Sequence, residues 1–248
     1  MGQMAVVAGD VQHNLERAGE MMAQAGRAQA DLVLLPECLD VGWQAPTAQL
    51  LAEPIPGPRT EFFAEAATTH GVYVVAGITE RAGDAVYNAA IMVSPSGELM
   101  LHHRKVNELD IALDLYRTGT QVAVAETGFG RLAVNICADN FPGWLELGHA
   151  QGRMGAVALL SPCAWAVPPG HDPVTDPYDE WEAPYRELAL AHRMAVVGVS
   201  NVGRIGGVPW AGHPCIGCSL AMGPDGRVLA RGPYGVDASS LVLVDIPV

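Results

Sequence analysis

Helix-strand units that alternate with β-hairpins predict a layered α/β protein whose sheets include antiparallel pairs, rather than one purely parallel, doubly wound sheet. Two patterns carry that expectation. One is the order helix, apolar strand, abrupt stop: Leu15, Ala18, Met22 and Ala25 fall at helical spacing across residues 12–30, and 31–35 follows as a buried strand stopped by Pro36. The other is a pair of turns, Ser94 to Gly97 and Gly223 to Gly226, each set between two short apolar runs.

The remaining elements follow in chain order. Pro54, Pro56, Gly57 and Pro58 make a loop, Thr60 is the expected cap of a helix carrying Phe62, Phe63, Ala66 and Ala67, and Gly71 closes it before a strand over 72–76. Residues 87–93 and 99–103 form the first hairpin, and 105–119 is irregular. A strand over 130–136 then ends at Cys137. A helix over 144–154 leads to a strand over 156–160, closed by Ser161 and Pro162. Five prolines, Pro168, Pro169, Pro173, Pro177 and Pro184, forbid a long helix in 166–184, which reads as an acidic surface loop able to serve as a lid. Residues 185–193 are helical and 195–200 form a strand; 219–222 and 228–230 make the second hairpin, and 241–245 is the last strand.

A chain of 248 residues, half of them apolar, suits one hydrophobic core, so a single domain over 1–248 is expected. Asp and Glu number 27 against 14 Lys and Arg, and a net charge of -13 repels phosphate backbones and anionic lipid surfaces, which argues against nucleic-acid or membrane partners. No basic segment precedes a long apolar run at the N-terminus and no window reaches bilayer length, so the cytoplasm is the expected location. An odd set of five cysteines, Cys38, Cys137, Cys163, Cys215 and Cys218, fits reduced thiols.

Three windows end an apolar strand in a residue able to do chemistry: Leu35-Pro-Glu37, His103-Arg-Lys105 and Ile136-Cys137. Strand ends in layered α/β folds converge on a common rim. A thiol, a carboxylate and an ammonium gathered there make a nucleophilic site, with Glu37 taking the thiol proton and Lys105 balancing charge. Taken singly, Cys137 fits a buried packing residue, and Glu37 and Lys105 fit ordinary surface charges; the three in combination favour catalysis.

These windows carry a resemblance. With Leu34-Leu-Pro-Glu37 before Gly42-Trp43, then Arg104-Lys105, then Asn135-Ile-Cys137-Ala-Asp139, the chain resembles the nitrilase superfamily of carbon-nitrogen hydrolases. Tyr87-Asn88, Ser161-Pro162 before Ala164-Trp165, Ser200-Asn201, and Ile216 to Ser219 extend the match across most of the chain in the family's order. The resemblance implies a four-layer α-β-β-α sandwich, with base, lysine and nucleophile on Glu37, Lys105 and Cys137. It implies a small-molecule amide substrate cleaved through a cysteine thioester with release of ammonia or an amine, no metal or organic cofactor, and a homodimer or higher homo-oligomer. Nitrile hydrolysis by the same thiol, or a silent binding protein of the same fold, are the alternatives.

Three departures accompany the resemblance. Many relatives carry a second glutamate seven or eight residues after the lysine, where this chain has Ala112 and Leu113; Glu108, Asp110 and Asp114 are the substitutes on offer. The family's first strand leads to a glutamine aligned with Gln3, so most of that strand is expected to be missing. The tail after the last strand is short, which puts the extent of pairing between subunits in question. Trp43 and Trp165, each just past a strand-end motif, are expected as pocket walls, and Asn140 is grouped with them as substrate-binding. Cys38 and Cys163 are read as packing near the site, and Cys215-x-x-Cys218, lacking a second Cys pair, as structural. His102, His103, His149 and His192 show no ligand spacing with acids and are likewise read as structural. Asp172, Asp176, Asp179, Glu180 and Glu182 in the proposed lid face no lysine or arginine in sequence, so neutral or cationic substrates are expected over carboxylates.

Overall fold

The computed structural model describes residues 1–175 and 179–247. Four layers follow from where the apolar side chains go. Helices Val11–Arg27 and Pro58–His70 bury Ala18, Met22, Phe63 and Ala67 against Val33, Val74, Ala76 and Ile91 of a four-stranded sheet. That sheet runs in the order Leu32–Leu34, Tyr73–Ala82, Ala85–Val93, Leu99–Arg104. Helices Glu146–Arg153 and Asp179–His192 cover a six-stranded sheet in the same way, with Tyr185, Leu188 and Ala189 packed on Leu159, Val196 and Leu220. The six strands lie in the order Val228–Arg231, Leu220–Met222, Ala195–Ser200, Ala156–Cys163, Gly130–Val134, Val124–Thr127. Between the sheets Leu34, Val75 and Met92 meet Val134, Leu160 and Val197, a third apolar layer. The arrangement is an α-β-β-α sandwich, and both sheets mix parallel and antiparallel neighbours as their connections require.

Several elements differ from the sequence reading for local reasons. The second helix begins at Pro58, with Thr60 inside its first turn; the Thr60 hydroxyl accepts the Gly57 N–H at 2.7 Å, so it caps from three residues within. Gly71 ends that helix at φ 66°, a left-handed position that suits glycine. The strand expected to stop at Leu160 runs on to Cys163. By strand alternation the missing N–H of Pro162 falls on the side where Gly130–Val134 has already ended, so no ladder bond is lost.

The expected lid is half helix. Asp179–His192 passes through Pro184 because Trp181, Tyr185, Leu188 and Ala189 form a buried face whose packing outweighs the lost backbone bond. Nor are its acids uniformly without partners: Glu182 pairs with both Arg186 and Arg231, and Asp172 accepts the Val174 N–H. Asp176 and the side chain of Asp179 lie outside the described residues. The last strand is Ser240–Leu241, paired with Gly2–Gln3, and Val242 extends the pairing by exchanging two backbone hydrogen bonds with Met1, each 3.0 Å; Val242, Val244 and Ile246 pack on the inter-sheet core. The strand Val124–Thr127, not foreseen, forms the far edge of the six-stranded sheet.

Candidate active site

Three chain segments leave the two sheets at one rim. After Leu32–Leu34 the chain turns at Pro36-Glu37, and the Glu37 N–H reaches across to the Cys163 carbonyl of the other sheet at 3.2 Å. This approach depends on Gly77: a Cβ there would lie 2.6 Å from the Glu37 Cα and 2.7 Å from the Pro36 oxygen. After Leu99–Arg104 the chain delivers Lys105, and after Gly130–Val134 a 3-10 turn over Cys137–Asn140 delivers the thiol. Cys137 sits at φ 41°, a left-handed conformation that a non-glycine residue adopts only when its surroundings enforce it.

That enforcement comes from Asp139. Its Oδ2 accepts the Ile136 N–H and faces His103 Nε2, each at 2.9 Å, while its Oδ1 accepts the N–H groups of Val106 and Asn107 at 3.1 and 2.8 Å. Burial works against the charge of Asp139, but the His103 bond and the backbone donors outweigh it and hold the carboxyl below the usual carboxylate range. One ionised side chain thus ties the cysteine turn to the loop that follows Lys105. The Cys137 N–H is fixed in turn by the Ser161 hydroxyl at 3.1 Å.

The charged groups form one buried cluster. Glu37 Oε1 accepts from Lys105 Nζ at 2.8 Å and from Asn88 Nδ2 at 2.6 Å. Glu108, also buried, places Oε2 3.7 Å from the same Nζ, and burial, with repulsion from Glu37 and Asp139, pushes its pKa up to about 7. Burial disfavours the Lys105 charge, but the carboxylates of Glu108 and Glu37 more than offset it and raise the lysine well above its ordinary value. The Cys137 thiol is pushed well above the ordinary range by its hydrogen bond with Cys163, then by burial and by Glu37, with Lys105 opposing. At neutral pH the sulfur therefore rests as a thiol, and attack requires a base to take the proton as the bond forms.

Cys137, Lys105 and Glu37 line one cavity of about 290 Å³, together with Ala138 and the side chains of Trp43 and Trp165. Of the five cysteines only Cys137 is not buried. Trp43 and Trp165 are placed as expected for walls. Asn140 is not: it faces away from the cavity, with its amide engaged by Asn135 at 2.7 and 2.8 Å and by Ser161 at 3.1 Å, so its place is in bracing the cysteine turn. Of the substitutes for a second glutamate, Glu108 reaches Lys105, whereas Asp110 lines the cavity mouth. Cys215 and Cys218 are buried in different apolar clusters.

A family model described as carbon-nitrogen hydrolase matches residues 1–248. The chain belongs to the carbon-nitrogen hydrolase family. Among similar proteins, it is 30% identical to a nitrilase of Pyrococcus abyssi over 94% of this chain and 84% of that one. It is 29% identical to omega-amidase NIT2 of Xenopus tropicalis over 88% of this chain and 78% of that one. Of solved structures, Nit3 of Saccharomyces cerevisiae superposes with a TM-score of 0.82 at 23% identity, covering 97% of this chain and 86% of that one. An amidase of Nesterenkonia sp. AN1, with acrylamide added at its active-site cysteine, superposes at 0.83 and 21%, covering 99% and 91%.

Within this carbon-nitrogen hydrolase, sequence reasoning left four contributors unassigned. His103 and Asp139 meet across 36 residues, and Asn88 and Glu37 across 51, so no local pattern shows either pair. Ser161 collects Cys137, Asn140 and Cys163 on one oxygen. His102 also proves to be acid-paired, with Glu80 at 2.9 Å, and Glu80 is held by Arg104 as well. Glu108 was visible as an acid near Lys105, but its orientation is set by an irregular loop whose course the sequence does not encode in any periodic way.

Proposed function

We propose that this chain hydrolyses the carbon-nitrogen bond of a small amide through a thioester on Cys137. The single observation that carries the reading is the Glu37–Lys105–Glu108 cluster buried beside the one cysteine that opens to the cavity. As the Cys137 sulfur attacks the amide carbonyl, Glu37 takes the thiol proton. The carbonyl oxygen gathers negative charge as the carbon turns tetrahedral, and the Lys105 ammonium and the Ala138 N–H are the donors at hand to stabilise it, a contribution of roughly 3 to 4 kcal/mol per donor. Collapse breaks the carbon-nitrogen bond while Glu37 returns its proton to the departing nitrogen. Water, deprotonated by Glu37, then attacks the thioester and releases the acid and the free thiol.

Glu108 takes the role of the second glutamate, a further carboxylate 3.7 Å from Lys105 Nζ, so that the ammonium stays fixed while Glu37 gains and loses protons. The similarity to the Pyrococcus nitrilase supports one variation, in which the same thiol attacks a nitrile carbon to give a thioimidate. Ammonia release from a panel of simple amides, ureas and nitriles tests the reading; a panel turned over equally well by Cys137→Ala would sink it.

The wider setting belongs to the same proposal. The family match from residue 1 to 248 supports one domain, five free thiols suit a reducing cytoplasm, and pairing as a homodimer rests on the family resemblance alone. Among the described residues no helix is long and apolar enough to cross a membrane.

A further inference from the structure

The reacting groups occupy one end of the cavity, and the remaining walls have a chemistry of their own. Trp165 and Trp181 stack with ring centroids 4.8 Å apart and planes 23° from parallel, and Trp43 meets Trp210 edge-on at 5.7 Å. Aliphatic and small side chains fill the gaps, while Asp110, the exposed first residue of the 3-10 turn after Lys105, and Glu180, on the first turn of Asp179–His192, add carboxylates. Among the described residues lining the cavity, Lys105 is the one lysine or arginine, and its ammonium is already held between Glu37 and Glu108.

We propose that this cavity selects amides whose acyl chain ends in a cationic nitrogen, an ammonium or quaternary ammonium group. Indole faces carry negative potential and attract a cation, most strongly where water is excluded, and several tryptophans round one small space make a cage for such a group. Asp110 and Glu180 set the sign of the field a substrate meets, in a protein whose net charge is -13. A volume of about 290 Å³ suits a short chain rather than a polymer.

A carboxylate-ended amide has less to gain. The buried indole N–H groups of Trp43, Trp165 and Trp181 have no hydrogen-bond partner among the described residues and could donate to it, but neutral donors do not offset repulsion from Glu37, Asp110 and Glu180. The substrate class rests on the hydrolase reading for the bond that is cut; the binding preference does not.

The test separates the two. Four of the five tryptophans line the cavity, so intrinsic fluorescence reports its occupancy. A Cys137→Ala protein, unable to form the thioester, is titrated with three pentanamides matched in length and ending in trimethylammonium, hydroxyl or carboxylate. The cationic amide should bind at least about tenfold more tightly than the hydroxyl amide, and the carboxylate most weakly. That ratio should fall toward one in Asp110→Asn/Glu180→Gln and in Trp181→Leu, and should shrink as salt is raised on the unmodified cavity. Equal binding of the three, tightest binding of the carboxylate, or a ratio that survives both the variants and high salt would overturn the proposal. Ammonia release from the same compounds by the wild-type protein is scored separately. Cationic selectivity without turnover would remove the hydrolase reading alone, and turnover ranked with the carboxylate first would remove the cation preference alone.

Discussion

At the residue scale the chemistry depends on how three buried charges share one proton. Glu37 must be basic enough to deprotonate Cys137, yet its Oε1 already accepts from Lys105 and Asn88. Replacing it by glutamine keeps the shape and removes the acceptor, so Glu37→Gln should slow thioester formation and its hydrolysis together, by about 10²- to 10⁴-fold. Single-turnover kinetics read both steps, and an unaltered rate for either would place the base elsewhere. Glu108 gives a pH signature. With its pKa near 7, it becomes neutral below that pH and no longer helps to hold the Lys105 ammonium, the cation on which thiolate and oxyanion depend. The value of kcat/KM should therefore fall as pH drops through about 7, and in Glu108→Gln the inflection should vanish, with the rate at pH 8 matching the acid limb. Persistence of the inflection in that variant would assign it to another group. Lys105→Met should cost far more than the ~1.4 kcal/mol of a tenfold loss, because thiolate and oxyanion would both lose their cation.

At the element scale the site is a product of where strands stop. Leu34-Leu-Pro-Glu37, Arg104-Lys105 and Ile136-Cys137 were legible because each ends an apolar run in a turn, and those turns do converge. What holds the turns together was not legible, because Asp139 joins segments that sequence leaves far apart. The helix through Pro184 was misread for a related reason. Proline is a local signal, whereas the buried face of Trp181, Tyr185 and Leu188 is rewarded only once the six-stranded sheet lies beneath it. Asn140 was misplaced because adjacency to the nucleophile fixes its distance along the chain and not its direction. Gly77 offers the sharpest test at this scale. A methyl group added there must displace the Glu37 backbone or Pro36, so Gly77→Ala should depress turnover by tenfold or more while thermal denaturation still shows one cooperative transition. Full activity in that variant would mean the position of Glu37 tolerates a shift that the geometry forbids.

At the scale of the whole molecule, four layers bury almost every reactive group and leave one thiol at a cavity. The layered class was readable from alternating helices and hairpins, and the four-layer form came with the resemblance; the tail was readable only in part, since its alternating Val242, Val244 and Ile246 look like a strand, yet the backbone pairing reaches Val242 and the other two cover the inter-sheet core. Cys38, Cys163, Cys215 and Cys218 are buried and Cys137 is not, so a small thiol reagent should label the native protein once, at Cys137, and all five sites after denaturation. Substrate should protect that site.

Every step of the proposed reaction depends on Cys137 carrying the acyl group during turnover. Intact-mass spectrometry of Glu37→Gln, quenched in acid after a long incubation with a turned-over amide, is the direct test, because a thioester that hydrolyses slowly outlives the quench. One adduct of the acyl mass should appear, mapped to the peptide containing Cys137 and absent from Glu37→Gln/Cys137→Ala. An adduct on any other residue, or ammonia release by Cys137→Ala at the wild-type rate, would contradict it.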